Sequence, residues 1–205
     1  MLSKIYSSTV GALIRSLKRA LGKESNKERF IRYAEKNRWD DTESVSGPGS
    51  TLEYTENLRK ELPPLLEKFA VRSILDAPCG DFNWFRLVEL PPGVTYVGGE
   101  IVPDLVASNT KAYAREGIAF SELDIIADAL PAADLWMCRD VLFHFSYQDA
   151  FSALRNLLGS EIRYLLTTTH PECEANRDVR TGSFRQINLL LPPFEFPEPL
   201  CTIDD

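Results

Sequence analysis

Between residues 71 and 169, short apolar runs alternate with stretches whose apolar residues recur every three or four positions. The runs 72–77 (RSILDA), 95–101 (TYVGGEI), 119–124 (AFSELD), 134–140 (DLWMCRD) and 163–169 (RYLLTTT) are each predicted to be strands. Between them the spacing predicts a short helix from about residue 83 and a helix over 103–116, opened by Pro103 and stopped by Gly117. A further helix is predicted after Ser146, where SYQD has the form of a capping box, and it ends at Gly159. Strands separated by helices pair in parallel through right-handed crossovers. The expected fold class is therefore α/β, a Rossmann-like three-layer α/β/α sandwich around a mostly parallel sheet.

The flanks are less regular. Upstream, Gly47-Pro48-Gly49 must be a loop, and STLE after it reads as a capping box with Ser50 as N-cap and Glu53 reaching back. The helix this opens is expected to run to about Leu62, with Pro63-Pro64 restarting the chain into a second one. Downstream, FRQINLLL has the composition of one more strand, with no convincing strand after it. The sheet then either lacks its last strand or is completed by a neighbouring chain, so monomer and homodimer both stay open.

The first 23 residues hold Lys4, Arg15, Lys18, Arg19 and Lys23 and no acid, and Val10, Leu13, Ile14, Leu17 and Leu21 recur there at helical spacing. We therefore divide the chain into a basic amphipathic helical segment, 1–36, and a main domain, 37–205. The segment packs on the domain or a partner, or lies on a membrane surface; it has no uninterrupted apolar region of the secretory kind. A net charge of -7 over the whole chain argues against a broad nucleic-acid surface. Cys79, Cys138, Cys173 and Cys201 form no C-x-x-C pair, and His144 and His170 are the only histidines. That pattern favours a reducing, cytoplasmic setting and offers no metal site.

In an open α/β sheet, ligands sit beyond the carboxyl ends of the strands, and SILDAPCGDFNW (73–84) falls there. Its loop has one glycine, Gly80, where a dinucleotide fingerprint needs three, and Asp76 and Asp81 flank it. Carboxylates repel a pyrophosphate but suit a cationic ligand such as S-adenosylmethionine, which carries an ammonium and a sulfonium. Glu100 ends the second strand, where an acid accepts from ribose hydroxyls, and Asp124 ends the third, where one accepts from an adenine amino group. An acid at a strand end is also a common turn cap, so it is the three together that point to a cofactor.

These stretches, with YVGGEIVPDLV, FSELDI and LWMCRDVLFHFS, make residues 71–147 similar to the class I S-adenosylmethionine-dependent methyltransferases. The whole of 37–200, including RWDDTESVSGPGSTLEYT and TTTHPE, resembles a bacterial methyltransferase group of unassigned acceptor. Pro78 and Phe82 stand where that family usually has glycine, and Glu100 where aspartate is commoner. The resemblance implies S-adenosyl-L-methionine as cofactor, with Asp76, Ala77 and Gly80 at its methionine end, Glu100 and Ile101 at the ribose, and Asp124 and Ile125 at the adenine. Trp84 either walls the pocket or is plain core. Arg59, Ser46, Gly47 and Arg139 are further candidates for the cofactor.

Methyl transfer to a hydroxyl needs a base. Asp140 and His144, four apart, would share a face of a helical turn, where the carboxylate orients the imidazole. The competing reading makes them a cap and a packing residue. His170 is the rival base, and Asn176 and Arg185 are candidates for binding the substrate. The expected activity is methylation of a small-molecule or glycan hydroxyl. N-methylation of an amine and a binding module without turnover are the alternatives.

Overall fold

The computed structural model describes residues 24–204. The basic segment 1–23, and with it the expected amphipathic helix and any membrane contact, lies outside the described residues. The first helix, α1 (Asn26–Glu35), is opened by a full capping box: the Ser25 hydroxyl accepts from the Glu28 amide, and the Glu28 carboxylate accepts from the Ser25 amide at 2.8 Å.

The expected box at Ser50 does not form. Pro48–Ser50 make a single 3₁₀ turn, and α2 (Glu56–Lys68) starts later, after a run of turns. It passes unbroken through Pro63 and Pro64. Leu58, Leu62 and Leu66 line its buried face, and burial of about 1.5–3 kcal/mol per leucine offsets the backbone bonds that the prolines cannot make.

Five strands follow: β1 (Ser73–Asp76), β2 (Thr95–Glu100), β3 (Ile118–Glu122), β4 (Leu135–Cys138) and β5 (Tyr164–Thr167). The helix α3 (Pro103–Tyr113) connects β2 to β3, and α4 (Tyr147–Leu158) connects β4 to β5. All pairings are parallel, in the order β3-β2-β1-β4-β5. This is the expected Rossmann-like architecture, and its order reverses between β1 and β4, which opens a crevice at their carboxyl ends.

Side-chain alternation builds the layers. Ile74, Leu135 and Met137 face α2, whereas Leu75, Trp136 and Cys138 face α4 with Ala150, Ala153 and Leu154. Half of the expected box at α4 forms: the Ser146 hydroxyl accepts from the Asp149 amide, but the Asp149 carboxylate accepts from Asn26 and Thr181 rather than from Ser146.

The stretch 184–191 is not a strand. It passes the end of β5 with single bonds, His170 N to Ile187 O and Leu189 N to the Thr169 hydroxyl, and buries Ile187 and Leu189 against the α4 layer. Among the described residues the sheet therefore has five strands, with β5 on its edge.

Candidate active site

The ladders end one or two residues before the predicted strands do, and the residues released bend over a cleft. That cleft holds about 1080 Å³ of empty space, its open mouth included. Asp76, Gly80, Trp84, Glu100, Ile101, Asp124, Ile125, Arg139 and Ser46 line it as expected, joined by Asp140 and His144.

Asp76 is the last residue of β1, held in register with Gly98 and Met137, and is 4% exposed. The Tyr96 hydroxyl donates to it at 2.7 Å. Burial pushes its carboxyl up to about 8, against the opposing pull of Tyr96 and Arg139. Glu100 ends β2; one oxygen accepts from the Gly80 amide (3.0 Å) and the other from the Val102 amide (3.1 Å). Burial raises its pKa too, and the backbone bonds oppose the shift. The Ile101 amide faces the same carboxylate, whose remaining lone-pair capacity is open to a hydroxyl donor. Asp124 caps the turn after β3 by accepting from the Ile126 amide (2.9 Å), so it serves as cap and cleft wall at once.

The two readings of Trp84 are not alternatives: it is 6% exposed in the α2-side core and still lines the cleft. Arg139 is buried, ion-pairs with Asp140 at 2.8 Å, and lies against the rings of Tyr54 and Trp84.

A strap formed by residues 37–50 crosses this end of the sheet. Asp81 anchors it, accepting from the Ser44 hydroxyl, the Val45 amide and the Ser46 hydroxyl, while the Asp81 amide donates back to Ser46. Gly80 has φ +56, and a Cβ there would overlap the Ser46 oxygen, so only glycine lets strap and loop meet.

Not every expected residue arrives at the cleft. Ala77 is fully buried in the sheet, its carbonyl accepting from Trp136 Nε1. Arg59 turns to the Leu52 carbonyl and lines neither cavity. Asn176 staples the tail, donating to the carbonyls of Asn188, Leu191 and Pro192. Arg185 is wholly buried over the Tyr147 ring and reaches neither cavity.

Gly47 and His170 line a second cavity instead. It adjoins the first through Trp39, Ser46, Asp140 and His144, which line both.

The two histidines differ. His144 Nδ1 lies 2.9 Å from the Ser183 carbonyl, so it carries the proton and leaves Nε2 with a lone pair. Burial lowers its pKa to about 4, helped by the Arg185 charge, although the bond to Ser183 opposes this. His170 Nδ1 lies 3.2 Å from the Ile187 amide nitrogen and 3.3 Å from the Ile187 carbonyl oxygen, so both polar groups of one residue face it.

The helical turn expected to align Asp140 with His144 is not there. Asp140 has φ 53, and only Leu142–His144 form a 3₁₀ turn. The Ser183 carbonyl orients the imidazole, while Asp140 accepts from the Thr168 hydroxyl and pairs with Arg139.

Sequence reasoning missed the N-terminal wall: Phe30, Tyr33 and Ala34 of α1, with Trp39 and Val45, line the cleft. The SNKE capping box at 25–28 would have revealed α1. The stretch RWDDTESVSGPGSTLEYT contains Trp39 but gives it no role; its ring lies 4.5 Å from that of His144.

No family model and no curated protein matches the chain. Solved structures do. "PigF with SAH" aligns over 66% of this chain and 46% of that one, at 17% identity and a TM-score of 0.53. Human N-acetylserotonin methyltransferase (ASMT) in complex with SAM aligns over 72% and 50%, at 14% identity and 0.46. An O-methyltransferase family protein from Burkholderia thailandensis aligns over 65% and 48%, at 18% identity and 0.45. The chain spans about half the length of these structures. The strand order, the switch-point crevice and the likeness at a TM-score of 0.53 together give the chain the Rossmann-like fold of the class I S-adenosylmethionine-dependent methyltransferases.

Proposed function

We propose that the protein transfers a methyl group from S-adenosylmethionine to a hydroxyl of a small molecule. The observation that carries the reading is one cleft lined by three strand-end carboxylates, Asp76, Glu100 and Asp124, which opens beside His144 onto a second cavity. The neighbour at a TM-score of 0.53, "PigF with SAH", supports the cofactor half of this reading.

The donor set fits that cofactor. Asp76 suits an ammonium, the spare lone pairs of Glu100 suit ribose hydroxyls, and Asp124 with the apolar Ile101, Val102 and Ile125 suits an adenine. Three acids disfavour a pyrophosphate in the same place. When bound, the cofactor supplies a methyl group made electrophilic by its sulfonium.

The chain's own residues do the rest. Glu100 fixes the glycine loop through the Gly80 amide, Trp39 and Trp84 exclude water, and Nε2 of His144 receives the hydroxyl proton. Holding both reactants in line supplies much of the rate.

Calorimetry with S-adenosylhomocysteine tests the cofactor assignment. Glu100→Ala is expected to weaken binding more than about tenfold, since each hydrogen bond to a charged group contributes about 1.5–3 kcal/mol. Unchanged affinity would remove Glu100 from the ribose. Transfer of label from methyl-labelled S-adenosylmethionine to an acceptor separates the enzyme from a module that only binds.

A further inference from the structure

The second cavity is built from rings. Trp39, Tyr54, Phe143, His144, His170 and Phe184 line it. Phe143 sits at the centre of an array, 4.4 Å from His144, 5.4 Å from His170 at 77°, and 5.4 Å from Phe184 at 72°. Phe184 is 59% exposed and Tyr54 51% exposed. Large rings held in water beside a cavity are what a binding face needs and a core does not.

The charged residues of the lining are Asp140, Glu172 and Asp204; among the described residues no lysine or arginine lines it. Arg139, behind this wall, is ion-paired to Asp140. An anionic guest would therefore meet like charge with no cation to receive it.

We propose that this cavity binds the acceptor, and that the acceptor is a planar aromatic hydroxyl compound, neutral or cationic, stacked among these rings with its hydroxyl toward His144. The inference rests on the methyl-transfer reading above. The acceptor oxygen forms its bond to the methyl carbon as the carbon–sulfur bond breaks. The electron pair of that bond goes to sulfur, and the hydroxyl proton passes to Nε2 of His144 and then to water.

The weak basicity of His144 agrees with this class: an imidazole held at about 4 by burial takes a proton from a phenol, whose pKa is about 10, more readily than from a far less acidic sugar hydroxyl.

The test uses the full-length protein and three probes: 2-naphthol, methyl α-glucoside and 2-naphthoate. Calorimetry is run with and without saturating S-adenosylhomocysteine. The expected result is that 2-naphthol binds at least about tenfold tighter than either comparator, as ring stacking and like-charge repulsion require. Phe184→Ala, on a ring that is 59% exposed, is expected to weaken 2-naphthol by about tenfold and to leave S-adenosylhomocysteine unaffected. Tyr54→Ala is the second variant if the first melts early.

Equal binding of the glucoside overturns the aromatic class, and equal binding of the naphthoate overturns the charge argument. Unchanged naphthol affinity in both variants overturns the site. Failure of S-adenosylhomocysteine to bind brings down the cofactor reading instead, and the naphthol titration still decides the cavity.

Discussion

Asp76 and Glu100 stand on strands whose ladder sets them residue by residue, Asp76 opposite Gly98 and Glu100 opposite Glu122. His144 and His170 have no ladder. Single bonds to Ser183 and Ile187, residues from a tail without regular structure, hold their rings. One end of the site is thus placed by the backbone of the sheet and the other by side-chain bonds to loops. A parallel sheet constrains position through many cooperative bonds, whereas a loop contact depends on one or two. The side proposed for the methyl donor should accordingly be rigid, and the side proposed for the acceptor adjustable.

The sharpest way to separate the two ends is His144→Gln. If the acceptor end acts only on the proton, kcat should fall by about 10²- to 10⁴-fold, the range expected for a lost general base. Affinity for S-adenosylhomocysteine should stay within about twofold, because no ladder residue has moved. A parallel loss of cofactor affinity would show that the ends are one unit.

At the ladder end, pH is the probe. The folded pKa of Asp76, about 8, lies above the 3.8 of a free carboxyl, so the folded chain holds a proton that the unfolded chain releases. Its contribution to stability is complete at low pH and is lost as the pH rises through about 8. A cation bound beside it reverses the preference. Affinity for S-adenosylhomocysteine should therefore rise on the order of tenfold from pH 6 to 8, and Asp76→Asn should flatten the curve. A wild-type titration already flat over that range would remove Asp76 from the ammonium.

The smallest effect tests where strap and sheet meet. Asp81→Ala removes the acceptor of the bonds from Ser44, Val45 and Ser46, a loss of about 2 kcal/mol. Thermal unfolding should shift down by about 4–8 °C, with cofactor affinity falling a few-fold. A larger change in affinity than in melting temperature would make the strap part of the cofactor site.

The same division explains what could be read in advance. The alternation of apolar runs located all five strands because ladder positions need apolar side chains on both faces: Ile74 and Leu75 point to opposite layers. The acids at 76, 100 and 124 could be read for the same reason, since a strand end has a fixed place in such a fold. Helix punctuation served less well. Pro63-Pro64 is a breaker by local rules, yet three buried leucines carry α2 through it. FRQINLLL has strand composition, but its apolar residues fill the space over α4, and its amides bond to side chains.

Arg185, charged and in a polar tail, read as a ligand for substrate and is instead sealed over Tyr147. Trp39 reached the site through tertiary packing alone, and local spacing carries no record of that.

Asp81 has one further consequence. Its carboxylate gathers three consecutive residues of the strap, Ser44 to Ser46, onto the loop that carries Gly80. With Asn83 Nδ2, which donates to the Glu43 carboxylate and the Ser50 carbonyl, it fastens the strap to one short loop, so the strap is expected to open as a unit, at an energy well below that of unfolding the sheet. The Val45 amide should then exchange its hydrogen for deuterium by a local opening, while the amides of β1 and β4 wait for global unfolding. Comparing those rates with turnover would show whether unfastening the strap limits how quickly the cofactor enters and leaves.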